Sequence, residues 1–207
     1  SLAEFLGALE GESGTFVGGP WSNAKWRVKY FREALGNAAI FRPLMAECPD
    51  FASLGAPASL DNLLGLSSGL VIFSGPGCSG KTVSATSYVS AMCSSSILRF
   101  CNLDDGRELP IKMGDSLMLQ NTVGSTSEKL EQGLRSGTDL FWVGDFEEGT
   151  LIPLLRAAEA GALVVVNVTA GNAVGVIDTL LSAASPEKRD LVCNMLASVL
   201  KAVVVQR

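Results

Sequence analysis

The chain has 207 residues, 47% of them apolar, enough for one large core or two small ones. Its net charge of −5 argues against nucleic acid as the main partner. The sequence contains no apolar run of about 20 residues, so insertion into a membrane is not expected. The absence of histidine excludes Ser-His-Asp triads and histidine metal sites, and five scattered cysteines indicate a reducing, cytoplasmic compartment.

The first third of the chain predicts a small antiparallel unit followed by a linker. A helix is predicted over residues 2–9, and strands over residues 15–17, 26–31 and 38–42. Prolines and glycines over residues 43–57 are typical of a linker, after which Ser59 is predicted to cap a short helix. We therefore expect a partial α+β N-terminal domain over residues 1–44 and a linker with a short helix over residues 45–68.

From residue 69 onward the chain alternates between predicted strands and predicted helices. Strands are predicted over residues 70–73, 97–101, 140–143, 162–168 and 202–206, and helices over residues 81–92, 127–135, 151–160, 173–184 and 186–200. Such alternation produces parallel strands covered by helices on both faces. We therefore expect an α/β nucleotide-binding domain with a mainly parallel sheet over residues 69–207.

A glycine-rich turn after the strand at 70–73 matches the spacing G-x-x-x-x-G-K-T without exception. This phosphate loop comprises Gly75, Pro76, Gly77, Cys78, Ser79, Gly80, Lys81 and Thr82. Its glycines allow backbone amides to turn toward phosphate oxygens, and the helix that follows adds its positive end. We expect Lys81 to reach the outer phosphates of ATP and the Thr82 hydroxyl to ligate Mg²⁺. A chance match in a glycine-rich turn is the alternative, which the flanking strand and helix disfavour.

Carboxylates follow two of the predicted strands. Asp145 comes just after the strand at 140–143, so it is a candidate for holding the water shell of Mg²⁺. Asp104 and Asp105 follow the strand at 97–101, where a carboxylate can orient or activate an attacking water. Asp-Asp-Gly is equally a common turn sequence, and the residues alone leave both interpretations open.

Taken in order, these motifs resemble the secretion ATPase superfamily, and in particular the PilT-like motors that retract type IV pili. The resemblance covers nearly the whole chain and is most specific over residues 154–165, where the family has a helix with Ala-Glu-Thr-Gly. It implies a RecA-like core and a cytoplasmic, hexameric homo-oligomeric ring at the inner membrane, beside a pilus or secretion platform protein. It also implies that Arg27 and Arg42 reach the nucleotide phosphates from the N-terminal domain.

The chain departs from the family mainly where the family hydrolyses ATP. Residues 101–105 stand where the family has Glu-Asp-Pro-Ile-Glu, so only Asp105 keeps the carboxylate of the last Glu. Asp145 is one methylene shorter than the family's Glu, the two glutamates at 147–148 replace Arg-Asp, and Thr169 takes the position of a histidine. Relative to the family, the chain starts within the N-terminal domain and stops before the C-terminal helices.

Two functions from different classes follow from this pattern. The first is a motor subunit that hydrolyses ATP to drive assembly or retraction of a pilus or secretion filament, with Asp105 and Asp145 as catalytic residues. The second is a catalytically degenerate subunit that binds ATP only to set the geometry of the ring. A small-molecule kinase is a third, weaker alternative. We expect the motor, because the family pattern is strong and Asp can replace Glu at a magnesium shell.

Overall fold

A computed structural model of the chain describes residues 13–18, 26–34, 36–104, 109–119 and 124–207. The helix predicted over residues 2–9 and the candidate residue Asp105 lie outside the described residues. The chain divides into two compact units, residues 1–48 with 106–110 and residues 49–105 with 111–207. The finer domain boundaries expected from the sequence stay a prediction.

The first unit contains a three-stranded antiparallel sheet, in agreement with the small antiparallel unit expected from the sequence. Its strands are β1 (Ser13–Gly18), β2 (Trp26–Glu33) and β3 (Gly36–Pro43), in the order β1-β2-β3. Alternation along β2 buries Val28 completely, while its neighbour Arg27 lies directly opposite Arg42 on β3. The rings of Trp26 and Phe41 meet edge to face with centroids 6.4 Å apart.

The second unit is built on a six-stranded sheet in which every pair of neighbouring strands is parallel. The strands are β4 (Gly69–Ser74), β5 (Arg99–Asn102), β6 (Leu117–Leu119), β7 (Leu140–Val143), β8 (Leu163–Val168) and β9 (Leu200–Val205), and their spatial order is β6-β5-β7-β8-β4-β9. This arrangement confirms the predicted α/β class and the parallel sheet. Strands β4 and β8, which are mainly apolar, are buried at every residue, as strands covered on both faces require.

Helices cover both faces of this sheet. They are α1 (Lys81–Ser95), α2 (Thr126–Arg135), α3 (Leu151–Glu159), α4 (Ala173–Ser182) and α5 (Arg189–Val199). Four 3-10 helices span Phe51–Leu54, Ala58–Gly65, Glu148–Thr150 and Pro186–Lys188. One core lies between the sheet and α1, and the other lies between the sheet and α2 to α5. Across the described ranges, no helix is both long enough and apolar enough to cross a membrane.

Local predictions differ from the structure in several places, including at Leu200, which was predicted to end a helix but begins β9. Ser59 caps no helix, because Pro57 takes the capping position and Ser59 lies inside the 3-10 helix. Strand β5 begins at Arg99 rather than at Ile97, whose side chain is 79% exposed. Strand β6 was missing from the prediction, because three residues are too short to establish an alternating pattern.

Candidate functional site

The phosphate loop leaves the carboxyl end of β4 and enters α1, at the edge of the sheet where α/β proteins bind ligands. Gly75 is buried, the residues at 76–78 are exposed, and those at 79–82 are partly buried. A Cβ atom at Gly75 would overlap the backbone oxygen of Gln206, which follows β9. Gly80 has φ +91° and lies against the Gln206 side chain. The loop backbone is therefore packed closely against the end of the neighbouring strand.

Polar groups of the loop fit a phosphate. The Lys81 amine donates a hydrogen bond of 3.0 Å to the backbone oxygen of Pro76, which holds the charge over the loop. The Ser79 hydroxyl oxygen is buried and has no hydrogen-bond partner within the part of the chain that the structure describes. Cys78 adopts φ +61°, a left-handed conformation that is uncommon outside glycine and that shapes the turn. These groups surround a cradle that a chain with larger residues at Gly75 and Gly80 could not form without displacing Gln206.

Thr82, the expected magnesium ligand, contacts a residue that sequence reasoning missed. Asn167 lies near the carboxyl end of β8, and its Nδ2 donates to Thr82 Oγ1 over 3.4 Å. The backbone N–H of Phe146 donates to the Asn167 carbonyl at 2.9 Å, which draws the chain after β7 to the same edge. The available signal was a single polar residue inside an otherwise apolar predicted strand.

The carboxylate expected at the end of β7 lies at this edge. Asp145 follows Gly144 directly, and its side chain is exposed. It is bracketed by buried Gly144 and by Phe146, whose N–H bonds to the end of β8. No cluster of three acidic or cysteine side chains suited to a metal ion is found across the described ranges.

Of the two neighbouring carboxylates that the sequence left open, Asp104 lies within the described residues. Asp104 lies over Gly144, since a Cβ atom at Gly144 would overlap the Asp104 carboxylate. Two hydrogen bonds fix this segment. The Leu103 N–H donates to the Trp142 backbone carbonyl at 2.8 Å, and the Asp104 N–H donates to Asn102 Oδ1 at 2.9 Å. Asp104 therefore occupies the space above β7 that a larger residue at Gly144 would fill, while the role of Asp105 stays a prediction.

Both candidate arginines lie in the first unit and are brought together there. Arg27 on β2 faces Arg42 on β3, and together with Lys29 and Ile40 they line a pocket of about 430 Å³. Like charges placed directly opposite each other on antiparallel strands repel. Three cations around one pocket therefore make this face suited to an anion, and its relation to the phosphate loop stays a prediction.

Most of the chain matches known proteins. The family model described as "Type II/IV secretion system protein" matches residues 36–207. A twitching motility protein of Neisseria gonorrhoeae is 26% identical over 188 residues, which cover 88% of this chain and 50% of that protein. The type IV pilus retractation ATPase PilT of Pseudomonas aeruginosa is 27% identical over 188 residues, which cover 88% of this chain and 55% of that protein. YggR of Escherichia coli is 28% identical over 190 residues, which cover 89% of this chain and 58% of that protein.

Solved structures show the same fold. A crystal structure of the pilus retraction motor PilT with bound ADP superposes with a TM-score of 0.83 at 26% identity, covering 99% of this chain and 61% of that one. The ATPase DotB of Legionella pneumophila superposes with a TM-score of 0.82 at 16% identity, covering 99% and 60%, which shows the fold alone. The chain thus spans between 50% and 61% of the length of the relatives described here.

Proposed function

Because the chain belongs to the type II/IV secretion system protein family, we propose that it is an ATP-binding motor subunit that hydrolyses ATP to drive assembly or retraction of a pilus or secretion filament. The observation that carries this proposal is the phosphate loop, whose glycine cradle and overlying Lys81 amine suit the phosphates of a nucleotide. A relative of the same fold is a pilus retraction motor with bound ADP, which supports a nucleotide as the ligand.

Binding would use the groups that the loop already presents. Lys81 would exchange its hydrogen bond to Pro76 for charge-assisted bonds to the outer phosphates. The Ser79 hydroxyl, which has no partner among the described residues, and the first amides of α1 would add donors at the positive end of that helix. Thr82 would hold Mg²⁺, which when bound neutralises charge that develops on the phosphate oxygens.

Hydrolysis would depend on the carboxylates at the ends of β5 and β7. Asp145 would hold water of the metal shell, and Asp104 or Asp105 would orient the attacking water. Asp104 has support from its position over Gly144, at the end of the same strand that leads to Asp145. Asp105 has the support of the family pattern alone.

The ring and its partners complete the proposal. In a homo-oligomeric ring of six subunits, the basic pocket at Arg27 and Arg42 would contribute to binding the nucleotide phosphates. Such a ring would act in the cytoplasm at the inner membrane, against a platform protein of the pilus or secretion system.

A catalytically degenerate subunit is the second candidate function. Thr169 stands exposed just after β8, where the family has a histidine, and a hydroxyl cannot supply the proton transfer that imidazole offers. Moving a reacting water by about 1 Å can cost roughly 100-fold in rate, and a carboxylate shortened by one methylene is enough for such a shift. These losses leave the binding loop untouched, so this subunit would bind ATP without turning it over.

Phosphate release separates the two candidates. Magnesium-dependent release would be measured over a range of protein concentrations, with Lys81→Ala as the blank. The motor predicts turnover per subunit that rises as the ring assembles and disappears in Lys81→Ala. Tight ATP binding with no release above the blank would reject the motor and leave the degenerate subunit.

A further inference from the structure

The strand beside the phosphate loop carries one polar side chain in its buried interior. Strand β8 reads LVVVNV, and Asn167 is only 1% exposed. Alternation along the strand places Asn167 on the same face as Leu163 and Val165, which pack in the core beneath α1. Its side chain therefore faces the helix that begins with the phosphate loop.

The contacts of Asn167 are incomplete. Its Nδ2 donates to Thr82 Oγ1 over 3.4 Å, which is long for a hydrogen bond, and its Oδ1 is buried without a partner among the residues the structure describes. A buried amide oxygen left unpaired costs free energy, whereas an apolar residue of similar size at the same place would cost none. Packing alone therefore does not account for an asparagine at this position.

The strand end that carries Asn167 is held firmly on both sides. The Ser74 hydroxyl at the end of β4 donates to the Ala170 carbonyl at 2.9 Å, and Phe146 N–H donates to the Asn167 carbonyl at 2.9 Å. Asn167 also pairs with Phe73 on β4, so its backbone is held between β4 and the segment that follows β7.

We propose that Asn167 is a positioning residue for Thr82, whose hydroxyl proton it accepts on Oδ1 when that hydroxyl ligates the magnesium of a bound nucleotide. A hydroxyl that gives a lone pair to a cation must direct its proton away from the cation, and it needs an acceptor for that proton. The Asn167 side chain is already in contact with the hydroxyl, and its Oδ1 accepts no hydrogen bond from any residue in the described ranges. A half turn of the amide exchanges Nδ2 for Oδ1 and frees the lone pair of Thr82 Oγ1 that Nδ2 engages in the structure.

The proposal rests on the proposed nucleotide-binding function, and it makes a narrower claim. In this proposal Asn167 contributes to the magnesium-dependent part of ATP affinity, and it does not maintain the conformation of the phosphate loop. Two variants separate these roles: Asn167→Leu keeps the volume and removes the acceptor, whereas Asn167→Asp keeps an acceptor and removes the amide donor. Asn167→Ala serves as a second variant without an acceptor, so that the result does not depend on how one replacement packs.

The experiment measures the dissociation constant of ATP by calorimetry, once with excess Mg²⁺ and once with a chelator, and the thermal unfolding of each protein without nucleotide. We expect Mg²⁺ to strengthen binding in the natural protein and in Asn167→Asp. In Asn167→Leu and Asn167→Ala we expect the gain in ATP affinity that Mg²⁺ gives to fall by about tenfold or more. The ATP affinity measured with the chelator should stay unchanged. We also expect the nucleotide-free Asn167→Leu protein to melt at or above the temperature of the natural protein.

Two results would overturn the inference. One is that Mg²⁺ strengthens ATP binding in both variants that lack an acceptor as much as it does in the natural protein. The other is an equal loss of affinity with and without Mg²⁺, which would assign Asn167 to the shape of the loop. Failure of the natural protein to bind ATP under either condition would instead reject the proposed function itself, so the two failures are distinguishable.

Discussion

The two halves of the candidate site, at the carboxyl ends of the parallel strands, depend on different properties of the sequence. On the half formed by β4 and α1, the loop depends on backbone shape, set by glycines packed against Gln206 and by a lysine folded over the turn. On the half formed by β5, β7 and β8, the chemistry depends on side chains, and Asp104, Asp145 and Thr169 all differ from the family pattern. Under the proposed function, ATP binding and ATP hydrolysis would therefore be separable, because binding would rely on backbone geometry and hydrolysis on the placement of a few side-chain atoms.

The largest expected effect tests the hydrolysis half. If the motor function holds, Asp145→Asn removes the charge at the metal shell and should lower phosphate release by roughly 100-fold, with ATP affinity nearly unchanged. Glu147→Gln is the matched control, an exposed acidic residue two positions further on, and should leave the rate unchanged. Equal rates for the natural protein and Asp145→Asn would remove Asp145 from the mechanism.

A second variant decides between the neighbouring carboxylates. Asp104→Asn should reduce phosphate release more than Asp105→Asn, because the Asp104 carboxylate lies over Gly144 at the end of β7. The rates are compared at saturating ATP. The opposite ranking would support the family pattern, in which the position of Asp105 carries the carboxylate.

The next effect tests the binding half through its backbone. Gly75→Ala places a methyl group against the Gln206 backbone oxygen, so we expect a loss of about 1 to 3 kcal/mol in unfolding free energy together with weaker ATP binding. Gly77→Ala is the matched control, since nothing lies within 4 Å of its added carbon, and should change stability by no more than about 0.5 kcal/mol. Urea unfolding and calorimetry measure both quantities, and equal behaviour of the two variants would show that the loop is not packed as described.

A smaller effect tests whether stability away from the site affects binding. Ser125 and Glu128 form a reciprocal cap at the start of α2, with the Ser125 N–H donating to Glu128 Oε2 at 2.8 Å. Ser125→Ala should lower the unfolding free energy by about 1 kcal/mol and leave ATP affinity unchanged. Ser182→Ala, at the exposed end of α4, is the control with no capping role to lose. A change in ATP affinity in Ser125→Ala would couple α2 to the loop.

The smallest effect lies at the opposite edge of the sheet and depends on pH. The Arg99 guanidinium donates hydrogen bonds to Asp139 and lowers the pKa of that carboxyl. The pair therefore stabilises the fold above the usual carboxyl range, and its contribution is lost as the pH falls through the lowered pKa. Since the two side chains are 52% and 39% exposed, we expect Asp139→Asn to cost about 0.5 kcal/mol at pH 7.

This cost is measured by urea unfolding of both proteins at several pH values. The difference between them should shrink at acidic pH, where Asp139 becomes protonated in the natural protein as well. A difference that stays constant down to strongly acidic pH would show that the carboxylate charge does not stabilise the fold.

The sequence allowed the binding half to be predicted more fully than the hydrolysis half. The spacing from Gly75 to Thr82 is local, and the buried run of β4 is visible in consecutive residues, so both could be inferred without knowing the strand order. The contact of Asn167 with Thr82 depends on β8 lying next to β4, and no local pattern encodes that adjacency. The position of Asp104 over Gly144 likewise depends on β5 pairing with β7.

Some features were absent from the prediction because their signals are weak. Three residues of β6 give too little alternation to detect a strand. The facing of Arg27 and Arg42 requires the register of the β2–β3 hairpin, which the strand limits predicted from sequence left open by one or two residues. Both follow from pairing between strands rather than from residues adjacent in the chain.

The most direct test of the account is the equilibrium affinity for ATP in the presence of Mg²⁺, measured for the natural protein, for Lys81→Ala and for the surface control Lys188→Ala. Removal of the loop lysine eliminates charge-assisted bonds to phosphate and should weaken binding by about 100-fold, while the control should bind as the natural protein does. The same affinity in all three proteins would contradict the claim that the loop at residues 75–82 is where this chain holds its nucleotide.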